Sequence, residues 1–151
     1  MQTRRKTLQR SAIVAGLLVA TGLFPGMALA FNTKAFEAKT LADALKAIGA
    51  GVPQESKDVT ITAPDIAENG AVVPLGASTS LAGVKQLLIL VEKNPNTLAA
   101  IFNVTDSVEA SIITRAKMGQ SSDVYAVAIL ADGKALFAKK EVKVTLGGCG
   151  G

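Results

Sequence analysis

A chain of 151 residues, 49% hydrophobic, with 16 Lys and Arg against 12 Asp and Glu, has the length of one domain with a real core. The absence of histidine excludes His-based triads, Cys–His dyads and the usual zinc sites, and a single cysteine excludes a disulfide framework. The formal charge of +4 belongs entirely to the first 30 residues, which hold four of the cations and none of the acids, so the remainder is neutral and offers no basic footprint for nucleic acid.

Those first residues read as an address. Arg4, Arg5, Lys6 and Arg10 precede an apolar run over residues 12–23, too short to span a membrane comfortably. Ala28-Leu29-Ala30 then supplies a small-x-small pattern, so residues 1–30 are expected to be an export signal cleaved after Ala30. Thr3-Arg4-Arg5-Lys6-Thr7-Leu8 is similar to the twin-arginine pattern that exports already folded proteins, with Thr7 where that pattern usually has Phe. No membrane anchor is expected in the mature chain. Bacterial lipidation is disfavoured as well, because Phe31 and not a cysteine follows the cleavage position.

The mature segment opens with a helix. Leu41, Ala44, Leu45 and Ile48 fall on one face at helical period, Thr40 and Asp43 resemble a capping box, and the turn over residues 34–39 could itself be helical. Gly49 and Gly51 offer the C-cap and Pro53 forbids continuation. Everything after Pro53 reads as β-structure. Val59 and Ile61 alternate with threonines. Residues 71–73 form a short strand ended by Pro74, and residues 84–91 hold a continuous apolar run from Leu87 to Val91, which reads as a central strand covered on both faces or, in the alternative, as the lining of an interface. Asn94-Pro95-Asn96 turns the chain into a strand over residues 98–104. Strands over residues 108–116 and 124–130 follow, and Asp132-Gly133 is a hairpin signal before the last strand, 135–146. The pair Lys139 and Lys140 reads as a solvated strand end. The expected fold over residues 31–146 is one domain, mainly β: an immunoglobulin-like antiparallel β-sandwich of about seven strands preceded by one helix.

The remaining five residues, Gly147-Gly148-Cys149-Gly150-Gly151, place the only cysteine on a glycine arm. Glycine leaves the backbone free, so the arm is expected to be flexible, and Gly147 to Cys149 spans at most about 10 Å. Such a thiol can enter a narrow cleft in another protein. It is not self-activating, however. An unperturbed thiol is only a few per cent ionised at neutral pH, a nearby cation or helix N-terminus would be needed to change that, and the nearest cation in sequence is Lys143. No acid–base pair can be assembled around Cys149 and no CxxC, GxGxxG or Walker loop is present. The expected role is therefore a covalent carrier and not an enzyme, with no cofactor or metal of its own. The alternative is a structural subunit held to a partner by a mixed disulfide through Cys149.

The leader with Arg4 and Arg5, the helix-plus-β domain and the terminal Gly-Gly-Cys-Gly-Gly together resemble the SoxY family, the sulfur-carrier subunits of periplasmic thiosulfate oxidation. The resemblance implies that Cys149 is the carrier residue, with Gly147, Gly148, Gly150 and Gly151 as its arm, and that the protein works in the periplasm as a heterodimer with a SoxZ-like subunit. It further implies that a SoxXA c-type cytochrome couples thiosulfate to the thiol, that the SoxB hydrolase releases sulfate, and that a SoxCD dehydrogenase, where present, oxidises the remaining sulfane sulfur. Metals and haems belong to those partners.

Overall fold

Thr40 starts the main helix as its sequence predicts. In the computed structural model, which describes residues 32–146, the Thr40 hydroxyl oxygen accepts the amide of Asp43 at 3.1 Å and donates to the Asp43 carboxylate at 2.8 Å. A short helix, α1 (Thr33–Phe36), precedes the longer α2 (Leu41–Ile48). Gly49 ends α2 at φ 81°, a left-handed conformation that a side chain would strain.

Nine strands follow: β1 (Pro53–Glu55), β2 (Val59–Thr62), β3 (Ile66–Ala67), β4 (Val73–Thr79), β5 (Val84–Val91), β6 (Leu98–Asn103), β7 (Ser111–Ala116), β8 (Ser122–Leu130) and β9 (Ala135–Val144). The larger sheet runs β1-β9-β8-β5-β6, with β3 also on β9, and the smaller runs β2-β4-β7. The two sheets form the expected sandwich. Leu87, Ile89 and Val91 of β5 pack toward Val73, Leu75 and Ala77 of β4, while Leu88 and Leu90 face Ala44 and Leu45 of α2. The larger sheet is thus covered by the smaller sheet on one face and by the helices on the other. That is why β5 reads as an unbroken apolar run, with Leu87 to Val91 all buried. Each such side chain contributes about 1.5–3 kcal/mol of transfer free energy.

Several bounds differ from expectation, among them β6, β8 and β9, which cover residues 98–103, 122–130 and 135–144 where 98–104, 124–130 and 135–146 are expected. Residues 71–73 do not form a strand ended by Pro74; β4 begins at Val73 and continues through Pro74 to Thr79. The β2 register reaches only Gly76, so no β2 residue stands opposite Pro74 and its missing N–H breaks no ladder there. The strand expected from Val108 starts at Ser111, because the amide of Val108 is taken by the carbonyl of Thr105 in a turn. Finally, β1 and β3 are additions to the seven expected strands. Both pair with β9 in parallel, Pro53 opposite Ala135 and Ile66 opposite Lys143, whereas the other pairings are antiparallel.

Candidate functional site

Cys149, the arm glycines Gly147, Gly148, Gly150 and Gly151, the pair Arg4 and Arg5 and the cleavage position after Ala30 all lie outside the described residues. The root of the arm lies within them, and its geometry follows from the way β9 ends. The amide of Lys143 donates to the carbonyl of Asp65 at 3.0 Å, and the amide of Val144 to the Ser121 hydroxyl at 2.9 Å. Thr145 gives its amide to Ala67 at 3.1 Å and its hydroxyl to the carbonyl of Glu68 at 3.0 Å. The carbonyl of Leu146 accepts the amide of Gly70 at 2.8 Å. Backbone attachment to the body therefore extends to Leu146, three residues before the thiol.

Two lysines of β9 upstream of this root are ion-paired. Lys140 is half-buried and bonds both the Asp65 carboxylate, at 2.9 Å, and the carbonyl of Ala63, at 2.7 Å. That hydrogen bond, and the Lys140 charge behind it, hold the Asp65 carboxyl below the usual carboxylate range. Lys139 lies 3.6 Å from Asp123. The two lysines are thus not a solvated strand end: β9 runs on past them to Val144, and Lys140 ties it to the segment between β2 and β3. Tyr125, tilted against Phe137 at 5.7 Å, has its phenol pushed up by burial and by the charge of Glu92, so it stays protonated at neutral pH and is no base. Among the described residues, no three His, Cys, Asp or Glu side chains gather as a metal site, and no helix is long and apolar enough to cross a membrane.

A cavity of about 760 Å³ opens at the other end of the sandwich, lined by hydroxyls that include Ser78, Thr79, Ser80, Thr105 and Ser111. Val84, where β5 begins, also lines it, whereas Val91, where β5 ends, lies toward the arm. The length of β5, about 24 Å at 3.4 Å per residue, separates the two ends. A thiol tethered within about 10 Å of Leu146 does not reach that cavity.

Sequence reasoning singled out the terminal cysteine segment, which lies outside the described residues, but missed what surrounds Leu146. Residues 65–70 carry the contacts with the end of β9, yet β3 is two residues long and gives no alternating pattern to read. The available signals were the chain break at Pro64 and the apolar Ile66-Ala67 after it.

Comparison with known proteins gives three findings. The profile of the family described as "Sulfur oxidation protein SoxY" matches residues 45–149, ending on the cysteine. The solved structure of the sulfur carrier protein SoxY from Chlorobium limicola f thiosulfatophilum is similar at 35% identity and a TM-score of 0.63, covering 71% of this chain and 97% of that one. A superoxide reductase (neelaredoxin) from Ignicoccus hospitalis is similar at 18% identity and a TM-score of 0.51, over 57% of this chain and 79% of that one, which is a likeness of fold alone. None of the curated protein sequences compared matches the chain.

Proposed function

The chain belongs to the SoxY family of sulfur oxidation proteins, and on that footing we propose that it is a periplasmic sulfur carrier whose Cys149 covalently holds thiosulfate-derived sulfur. The observation that carries this reading is a family match extending through residue 149, the only thiol in a chain without histidine. The proposed mature protein begins after Ala30, is exported by the route that Arg4 and Arg5 address, and pairs with a SoxZ-like subunit.

The chemistry assigns this chain a passive part. The Cys149 thiolate and thiosulfate join as Cys–S–S–SO3⁻, and the two electrons released pass to an oxidant, the SoxXA c-type cytochrome. Water then attacks the terminal sulfur at the SoxB hydrolase, leaving a persulfide on Cys149 and releasing sulfate and protons. Where a SoxCD dehydrogenase is present, it oxidises the sulfane sulfur before a second hydrolysis restores the thiol. A sulfur–sulfur bond suits such a carrier because thiol exchange makes and breaks it reversibly. Gly147, Gly148, Gly150 and Gly151 present the sulfur without side-chain bulk. The activating groups and metals are assigned to the partners.

The test is loading. Mature protein incubated with its SoxZ-like subunit, thiosulfate and oxidised cytochrome should gain the mass of one thiosulfate on Cys149, and the gain should vanish in Cys149→Ser. An adduct that persists in Cys149→Ser removes the carrier assignment. A permanent stoichiometric crosslink on non-reducing gels, in place of a labile adduct, identifies the mixed-disulfide subunit instead.

A further inference from the structure

We infer that the cleft between the start of β6 and the end of β7 is a non-covalent binding site for a small tetrahedral dianion of the thiosulfate and sulfate class, held by Arg115 and Lys117. The inference does not depend on the carrier reading, because it needs neither Cys149 nor a partner protein. Under that reading both anions are at hand: thiosulfate is the group joined to the thiol, and sulfate is the one released.

Charge supplies the first argument. The cleft encloses about 310 Å³, and its lining includes Arg115 and Lys117 but no Asp or Glu. The ion pairs of the described residues join Lys134 to Asp132, Lys139 to Asp123 and Lys140 to Asp65, so neither cation of the cleft has a carboxylate partner among them. Two uncompensated cations two residues apart repel one another, and a dianion seated between them removes that repulsion. A guanidinium also offers two parallel N–H donors to a single oxyanion. The larger cavity at the other end of the sandwich has the opposite balance, with Asp58, Asp106 and Glu109 against Lys57. The positive charge is therefore a property of this cleft and not of the surface at large.

Hydrogen bonding supplies the second. The Lys39 ammonium donates to the carbonyl of Pro95 at 2.7 Å and to Asn96 Oδ1 at 2.6 Å. It thereby brings a third positive charge to the rim and engages the acceptor of the Asn96 amide, so the group that Asn96 has left for an anion is its NH2 donor. Asn94 holds the opposite rim. Its Nδ2 donates to the carbonyl of Lys117 at 2.7 Å, and its Oδ1 accepts the amide of Gly119 at 3.3 Å. The backbone that carries Lys117 is fixed before any ligand arrives, which lowers the cost of ordering the site. Half-buried Thr114 adds a hydroxyl to the lining, and the small side chains of Ala99, Ala100 and Ala116 leave the space unfilled.

The test uses the Cys149→Ser chain, so that no covalent adduct contributes and the outcome stands apart from the carrier reading. Backbone amide NMR shifts are followed as sodium thiosulfate or sodium sulfate is added, with ionic strength held constant by sodium chloride. The expected result is saturable movement of the amides of residues 94–100 and 114–119 with both anions. Binding should be about tenfold weaker in Arg115→Gln and in Lys117→Gln, the loss of one charge-assisted hydrogen bond. Both side chains are exposed, and unchanged shifts elsewhere verify the fold of each variant. Equal binding of the two anions assigns the site to tetrahedral dianions, and tighter binding of thiosulfate assigns it to the sulfane-bearing one; either supports the inference. Shifts that do not saturate, or that are the same in both variants, overturn it. Saturation of these amides by a hexaglutamate peptide with no response to either dianion also overturns it, and makes the cleft a protein contact.

Discussion

The amide of Gly70 donates to the carbonyl of Leu146 at 2.8 Å, while the carbonyl of the same glycine accepts the amide of Met118 at 2.7 Å. Gly70 therefore joins the end of β9 to the segment between β7 and β8, where the Met118 side chain is fully buried. The surroundings of Leu146 are built from three stretches of chain far apart in sequence. They are fixed through backbone groups whose partners are protein and not water.

Gly76 marks the tightest approach in the smaller sheet. A Cβ there would stand 2.9 Å from the carbonyl oxygen of Ile112 and 3.2 Å from side-chain atoms of Ile113 and Thr62. The carbonyl belongs to the neighbouring strand and has little room to withdraw. Gly76→Ala should cost about 1–3 kcal/mol, read as a lower urea midpoint at unchanged slope. A midpoint equal to wild type would mean that β7 yields freely at this position.

Thr97 is fully buried and its hydroxyl has no hydrogen-bond partner among the described residues, although its amide bonds Ala38 and its carbonyl accepts from Val91. Desolvating an unpaired hydroxyl costs about 1–3 kcal/mol. Thr97→Val keeps the shape, removes that cost, and should raise stability by about 1 kcal/mol in urea unfolding. Loss of stability in Thr97→Val would show that the hydroxyl does make a favourable contact.

The pairing of Asp65 with Lys140 has a pH signature. Because the folded-state pKa of Asp65 is lowered, its contribution is present above the ordinary carboxylate range and is lost as pH falls through the folded value. Wild type should therefore melt slightly above Asp65→Asn at pH 7, and the two curves should converge below about pH 4. The gap is small because the carboxylate is exposed. A gap that widens on acidification would contradict the assigned sign.

Legibility from sequence followed length and periodicity. The helix α2 was readable because Leu41, Ala44, Leu45 and Ile48 repeat at one period between a Thr cap and a Gly cap. The centrality of β5 was readable because only a doubly covered strand tolerates five buried apolar residues in a row. By contrast, β1 and β3 are three and two residues long and owe their existence to β9, a partner remote in sequence. Pro74 was misread as a stop, since whether a proline interrupts a ladder depends on which neighbour is opposite. The terminal Gly-Gly-Cys-Gly-Gly stands in five consecutive residues and lies outside the described ones. The surroundings of Leu146 could not be read, because Ala67 and Gly70 meet the end of β9 only through the fold.

The two parallel pairings also order events in time. Both β1 and β3 find their strand partner in β9, the last of the described strands in chain order, and the closure of such distant segments is slow compared with local hairpins. The platform around Leu146 is accordingly a late product of folding. A chain that has not closed on β9 lacks the hydrogen bonds that tie Thr145 and Leu146 to residues 67–70, so the anchoring of Leu146 is set only once the domain has folded.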